Sequence, residues 1–174
     1  MNNIYRHALY FAPVLGALFI MHFVLGTSSN MLMLILVVLL KIIIPIAAVY
    51  LAIDCRRRVN DDLFTYWQAF RYFLLMFVGA SLICSVFIFI YVQWINTNFL
   101  INLKEISSQL MERLTQTLSS SVISESEMEQ IIDTAYTPKM FTASSFLSNL
   151  IIGFIITIIG SFIVRNKKQD SNDR

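Results

Sequence analysis

The stretch MLMLILVVLLKIIIPIAAVYLAI, residues 31–53, decides the fold. Fifteen of its residues are Leu, Ile or Val, and its one charge is Lys41. At helical rise the run reaches about 34 Å, enough to cross a bilayer core of about 30 Å. On its C-terminal side lies a charged segment, Asp54-Cys55-Arg56-Arg57-Arg58-Val59-Asn60-Asp61-Asp62, which reads as a loop. On its N-terminal side, Gly26-Thr27-Ser28-Ser29-Asn30 has the composition of a tight turn.

Three further apolar runs flank this one. Ala8 to Gly26 is broken only by Pro13 and His22, and spans about 28 Å as a helix. Arg6, His7 and the Val24-Leu25-Gly26 end also give that run the pattern of a signal peptide, so span and cleaved leader both stand as readings. The third run goes from Trp67 to about Trp94 and the fourth from Ala143 to Val164. The expectation is an all-α, single-domain membrane protein: a four-helix bundle spanning about 8–26, 31–53, 67–94 and 143–164.

Composition agrees. The chain has 174 residues, 57% hydrophobic and 14% charged, with a mean hydropathy of +0.68. Soluble domains sit near about 45–50% apolar and about 25% charged, so this chain needs lipid as a second solvent. The net charge of +2 says little by itself, and no basic run is long enough to suggest nucleic acid, so no nucleic-acid partner is expected. Cys55 and Cys84, in the charged segment and mid-span, do not suggest a disulfide.

Orientation follows from lysine and arginine. With the N-terminus inside, Arg6, Arg56, Arg57, Arg58, Arg71, Arg165, Lys167, Lys168 and Arg174 fall on the cytoplasmic side. Only Lys104, Arg113 and Lys139 fall outside. That bias implies cytoplasmic termini and an outer segment at about 96–142. Arg56, Arg57, Arg58, Arg165, Lys167 and Lys168 hold the topology, and attraction to lipid headgroups is their natural second role. Tyr66, Trp67, Tyr91 and Trp94 mark the two interfaces of the third span.

The outer segment has its own pattern. Phe99, Leu103, Ile106, Leu110, Leu114 and Leu118 recur at steps of three and four, one face of a helix. Ser119-Ser120-Ser121 breaks it. Ser124 and Glu127 read as a capping box, and Met128, Ile131, Ile132 and Ala135 give a second apolar face that Pro138 stops. A helical hairpin is expected, its first helix continuing the third span. It either packs on itself and the lipid surface or offers a docking face to a partner helix.

Lys41 is the most unusual residue. At mid-span a lysine costs roughly 2.5–3.5 kcal/mol, while each aliphatic neighbour contributes about −0.3 to −0.6 kcal/mol, so the helix still inserts. The nearest carboxylate in sequence, Asp54, is about 20 Å away along the axis. Pro45 removes the helical partner of the Lys41 carbonyl. A buried polar site for an anion or a partner's carboxylate is one reading; a lysine that snorkels, loses its proton or bonds neighbouring hydroxyls is the other. Ser81, Cys84 and Ser85 share one face of the third span. Ser145, Asn149, Gly153 and Thr157 recur at steps of four in the last, with Gly160 next. Gly153, Thr157 and Gly160 are expected to form a helix-packing face. Lys41, Ser81, Ser85, Asn149 and Thr157 could instead line a polar path. His7 and His22 are the only histidines and form no metal motif. No cofactor fingerprint or catalytic constellation is visible, so a non-enzymatic protein without cofactor is expected.

Phe64-Thr65-Tyr66-Trp67-Gln68-Ala69-Phe70 resembles the aromatic-x-x-x-Gln-Ala-Phe pattern of a bacterial membrane family, domain of unknown function 4199, found mainly among Bacteroidetes. Asn96-Thr97-Asn98-Phe99-Leu100 is similar to that family's Asn-Pro-Asn-Phe start of the outer segment, with Thr97 in place of the usual Pro. The last span, ending in Arg165-Asn166-Lys167-Lys168, also fits. The outer segment is richer in serine than the family pattern. The resemblance covers nearly the whole chain. It implies the inner membrane, no assigned activity, and an accessory role beside partners such as a membrane glycosyltransferase.

Three functional classes then compete. The first is a non-enzymatic subunit that associates with another membrane protein or with itself. The second is a small transporter or channel subunit built around Lys41. The third, an intramembrane enzyme on a lipid-linked substrate, ranks last because Lys41 has no acid or base beside it. A Lys41 facing a water-filled cavity favours transport, and one facing lipid or a dry helix contact favours association.

Overall fold

A computed structural model describes residues 3–28, 30–59, 63–118 and 125–166, with the backbone alone at 114–118, 125, 126 and 128. The helices are α1 (Asn3–Gly26), α2 (Met31–Val59), α3 (Tyr66–Ile90), α4 (Asn98–Leu118), α5 (Glu125–Ala135) and α6 (Pro138–Val164), with one π turn at Tyr91–Ile95. Four of them, α1, α2, α3 with its π turn, and α6, are long and apolar enough to cross a membrane. The chain is an all-α, multi-pass membrane protein with a helical pair, α4 and α5, between the third and fourth spans.

The helices outrun the apolar runs at their ends. Arg56, Arg57 and Arg58, expected in a loop, form the last turn of α2. Cations there oppose the negative end of the helix dipole, and Arg58 Nε bonds Asp54 Oδ1 one turn earlier at 2.6 Å. Residues 60–62 lie outside the described part. Pro138 opens α6 rather than only closing α5. Its missing N–H is harmless at a first helical position, and Thr137 Oγ1 accepts from the Met140 N–H at 3.4 Å as the cap. Nor does the third span run on into α4. The π turn ends with the Asn96 N–H on the Tyr91 carbonyl at 2.8 Å, and Asn96 then leaves helical geometry, at φ −136° and ψ 75°.

The chain divides into two compact units, Met1–Cys84 with Phe146–Arg174, and Ser85–Ser145. In the first, α3 is the central helix. Ala69, Tyr72, Phe73, Met76, Phe77, Ala80 and Ser81 of α3 are all buried. Its neighbours meet it through glycine. A Cβ on Gly153 of α6 would stand 2.9 Å from Phe77, and one on Gly160 would stand 2.9 Å from Phe73. On the α1 side, Gly79 faces the Ala12 methyl and Gly16 faces Ile83. Lipid offers no hydrophobic penalty for separated helices, so close backbone approach and ring packing hold this core together.

The second unit contains the α4–α5 pair. Lys104 Nζ meets Asp133 Oδ1 at 2.5 Å, and Ser107 Oγ shares a hydrogen bond with the Tyr136 hydroxyl at 2.6 Å. Phe99 stands edge-on to both Tyr91 and Phe141. Only part of the expected apolar stripe is turned inward. Leu103 is half-buried, while Ile106, Leu110 and Ile131 are exposed. Ser119 to Ser121, Ser124, and the side chains of Leu114, Leu118 and Met128 lie outside the described residues.

Candidate functional site

The motif at the start of α3 has a structural reason. Thr65 caps the helix: its Oγ1 accepts from the Gln68 N–H at 3.3 Å. Gln68 Oε1 accepts in return from the Thr65 N–H at 3.0 Å, completing a capping box. Phe64, just before the cap, is fully buried and exchanges backbone hydrogen bonds with Asn166 at 3.1 and 2.9 Å. Arg56 Nη1 donates to the Val164 carbonyl at 3.0 Å. The end of α2, the start of α3 and the end of α6 are thereby tied together.

The start of α1 joins them through a polar cluster that no sequence motif announces. His7 Nε2 lies 3.6 Å from Asp54 Oδ2, and His7 Nδ1 lies 3.0 Å from the Tyr72 hydroxyl. Tyr72 also reaches the Leu51 carbonyl at 3.2 Å. The tyrosine has one proton for two acceptors. With neutral His7, Tyr72 donates to Nδ1, and Nε2 faces Asp54 Oδ2 at 3.6 Å, beyond hydrogen-bond distance. With charged His7, Nδ1–H donates to Tyr72, which turns its proton to Leu51. In either state the Tyr72 hydroxyl keeps a hydrogen-bond partner. Tyr72 is fully buried, which keeps its hydroxyl away from any substrate.

Beside this cluster, Asn3, Arg6, His7, Tyr10, Arg58 and Val59 line an open cleft of about 470 Å³. Arg165, also at this end, stands over the Phe162 ring at 5.3 Å, and Arg57 is exposed. Lys167 and Lys168 lie outside the described residues.

The residues singled out for a polar path do not share one environment. Lys41 is exposed on the outer side of α2. Ser81 and Thr157 are fully buried, Ser85 is buried, and Asn149 is half-buried with its amide on Cys84 Sγ at 3.7 Å. Thr157 Oγ1 donates to the Gly153 carbonyl at 2.7 Å, so its hydroxyl is satisfied within its own helix. Lys41 has no ion-pair partner among the described residues. His22 lies within electrostatic range of it, and His22 Nε2 is buried without a hydrogen-bond partner among the described residues. One turn beyond Lys41, Pro45 opens an apolar groove of about 480 Å³ that Ile46, Val49, Ile156, Ile159, Gly160 and Ile163 complete.

Cys55 and Cys84 are both free and buried. Among the described residues no three His, Cys, Asp or Glu side chains are grouped to hold a metal ion.

No curated protein and no solved structure matches this chain. A family model does, over residues 6–166, which takes in all four spans, the α4–α5 pair and the bridge at Asn166. By that match the chain belongs to the family described as protein of unknown function (DUF4199).

Proposed function

We propose that this protein is a non-enzymatic accessory subunit of a bacterial envelope complex, and that it binds a transmembrane helix of another membrane protein on the outer face of α2. The observation that carries this reading is Lys41, exposed at mid-span with no carboxylate partner among the described residues. A charge held there in lipid is costly, and a partner's Asp or Glu at the same depth relieves the cost. The occupant is a different protein rather than a second copy. Asp54 is the only carboxylate in the four long helices, and it is already engaged by Arg58. A symmetric pair of copies would bring lysine against lysine. The groove beginning at Pro45 supplies apolar contact for such a helix next to the charge.

The setting that goes with this proposal is the inner membrane of a Bacteroidetes cell, as the resemblance implies, with both ends cytoplasmic and residues 96–142 periplasmic. The lysine and arginine bias supports that orientation. A membrane glycosyltransferase is the partner class the resemblance suggests. The transport reading loses support because Lys41 lies outside the bundle while Ser81 and Thr157 are packed inside it.

The test places a photocrosslinking residue at Val38 or Ile42, beside Lys41, in native membranes. One recurrent neighbour with an acidic residue in a span is expected, and its yield should fall when Lys41→Leu is added. A chain that crosslinks only to lipid, or to many proteins without preference, ends the proposal.

A further inference from the structure

The cleft at the start of α1 has the chemistry of a phosphate site. Arg6 and Arg58 come from different helices, more than 50 positions apart in sequence, and converge on one opening. Arg6 is exposed and has no carboxylate partner among the described residues. Arg58 is held by its Nε on Asp54, which leaves both terminal nitrogens for another acceptor. Asp54 itself is not part of the lining, and its carboxylate is engaged by Arg58 and faces His7. Among the described residues, the opening therefore presents two planar guanidinium groups and no free carboxylate. Groups of this kind match the oxygens of a phosphate. Asn3 and Tyr10 also line the cleft, and their side chains carry neutral hydrogen-bonding groups. A volume of about 470 Å³ admits a phosphate with its first substituent.

The depth suits a lipid. Arg6 lies in the first turn of α1 and Arg58 in the last turn of α2, so the cleft is at the ends of two spans, where headgroups lie. We propose that this cleft binds a phosphate monoester, either as an anionic lipid headgroup or as a free phosphate compound. Asp54 and His7 act as positioning residues that hold Arg58 at the opening.

The full-length protein in mixed detergent–lipid micelles, titrated with phosphatidic acid and with phosphatidylcholine and read by native mass spectrometry, tests this. Phosphatidic acid should bind at least about tenfold more tightly, because one charge-assisted hydrogen bond more or less changes affinity by roughly that factor. Arg6→Gln should weaken it about tenfold, and Arg6→Gln with Arg58→Gln further. Arg57→Gln, an exposed arginine of the same turn outside the lining, should change it less than about twofold. Arg6→Gln alters an exposed side chain, so it reports even if the double variant folds poorly. Competition by glycerol 3-phosphate assigns the site to soluble phosphates, and resistance to it assigns the site to lipid. Equal weakening by Arg57→Gln and Arg6→Gln reveals a diffuse basic surface and overturns the proposal. So does the absence of any preference over phosphatidylcholine.

Discussion

The last span and the second span are both strongly apolar, yet they use their exceptional residues in opposite ways. In α6, Gly153, Thr157 and Gly160 face inward, and the glycines seat Phe77 and Phe73 of the same chain. The small-residue line that would invite a partner helix is consumed inside the first unit. In α2, Leu40, Ile44, Ala48 and Ala52 form a narrow buried line, and Lys41 stands outside it. A motif that looks like an interface can thus be internal packing, while a residue that looks buried by depth is turned toward lipid. Association through the spans is better sought on α2 than on α6.

The comparison can be broken at Lys41 first. Lys41→Leu should lower partner capture by at least about tenfold, since removing one member of a desolvated charge pair costs about 2–5 kcal/mol. The thermal stability of the isolated protein should hold or rise, because the insertion penalty of lysine disappears. Capture that survives the change means that the α2 charge is not the contact. Next comes Gly153→Leu, which forces a side chain against Phe77 and should cost about 1–3 kcal/mol in detergent unfolding. Gly26→Leu is the control, because nothing stands within 4 Å of a Cβ there. If both glycine variants melt alike, α6 does not pack on Phe77 as described.

Smaller effects sharpen the picture at the helix ends. Thr65→Ala removes the cap of α3 and should cost about 1 kcal/mol by thermal unfolding, with Gln68→Ala no more damaging. In the second unit, Lys104→Ala breaks a partly exposed ion pair with Asp133 and should cost under about 0.5 kcal/mol. A destabilisation above the Thr65 value would mean that the α4–α5 pair depends on this ion pair far more than its exposure implies.

The capping box of α3 is legible in the chain itself. Thr65 and Gln68 carry the Thr-x-x-Gln spacing directly before an apolar run. Phe64, Tyr66 and Trp67 around it carry the stronger signal, that of a membrane interface, and mask it. The π turn has no such signal, since Tyr91 to Ile95 reads as ordinary span. The cluster of His7, Asp54 and Tyr72 has none either. Its members are separated by 47 and 18 positions in sequence, and only the packing of α1, α2 and α3 joins them.

What the chain's letters determined by themselves was the number of spans, their approximate limits, and the depth of Lys41 along its helix. Those are local properties: hydropathy adds up residue by residue over one bilayer thickness. What only the tertiary structure decided was rotation, meaning which side of each helix meets its neighbours. In a soluble helix an apolar stripe encodes that rotation, but α2 is apolar nearly all round, so no stripe says which way Lys41 points. The answer lies in contacts between distant residues, such as Gly153 on Phe77 and His7 on Asp54, and these exist only once the helices have packed.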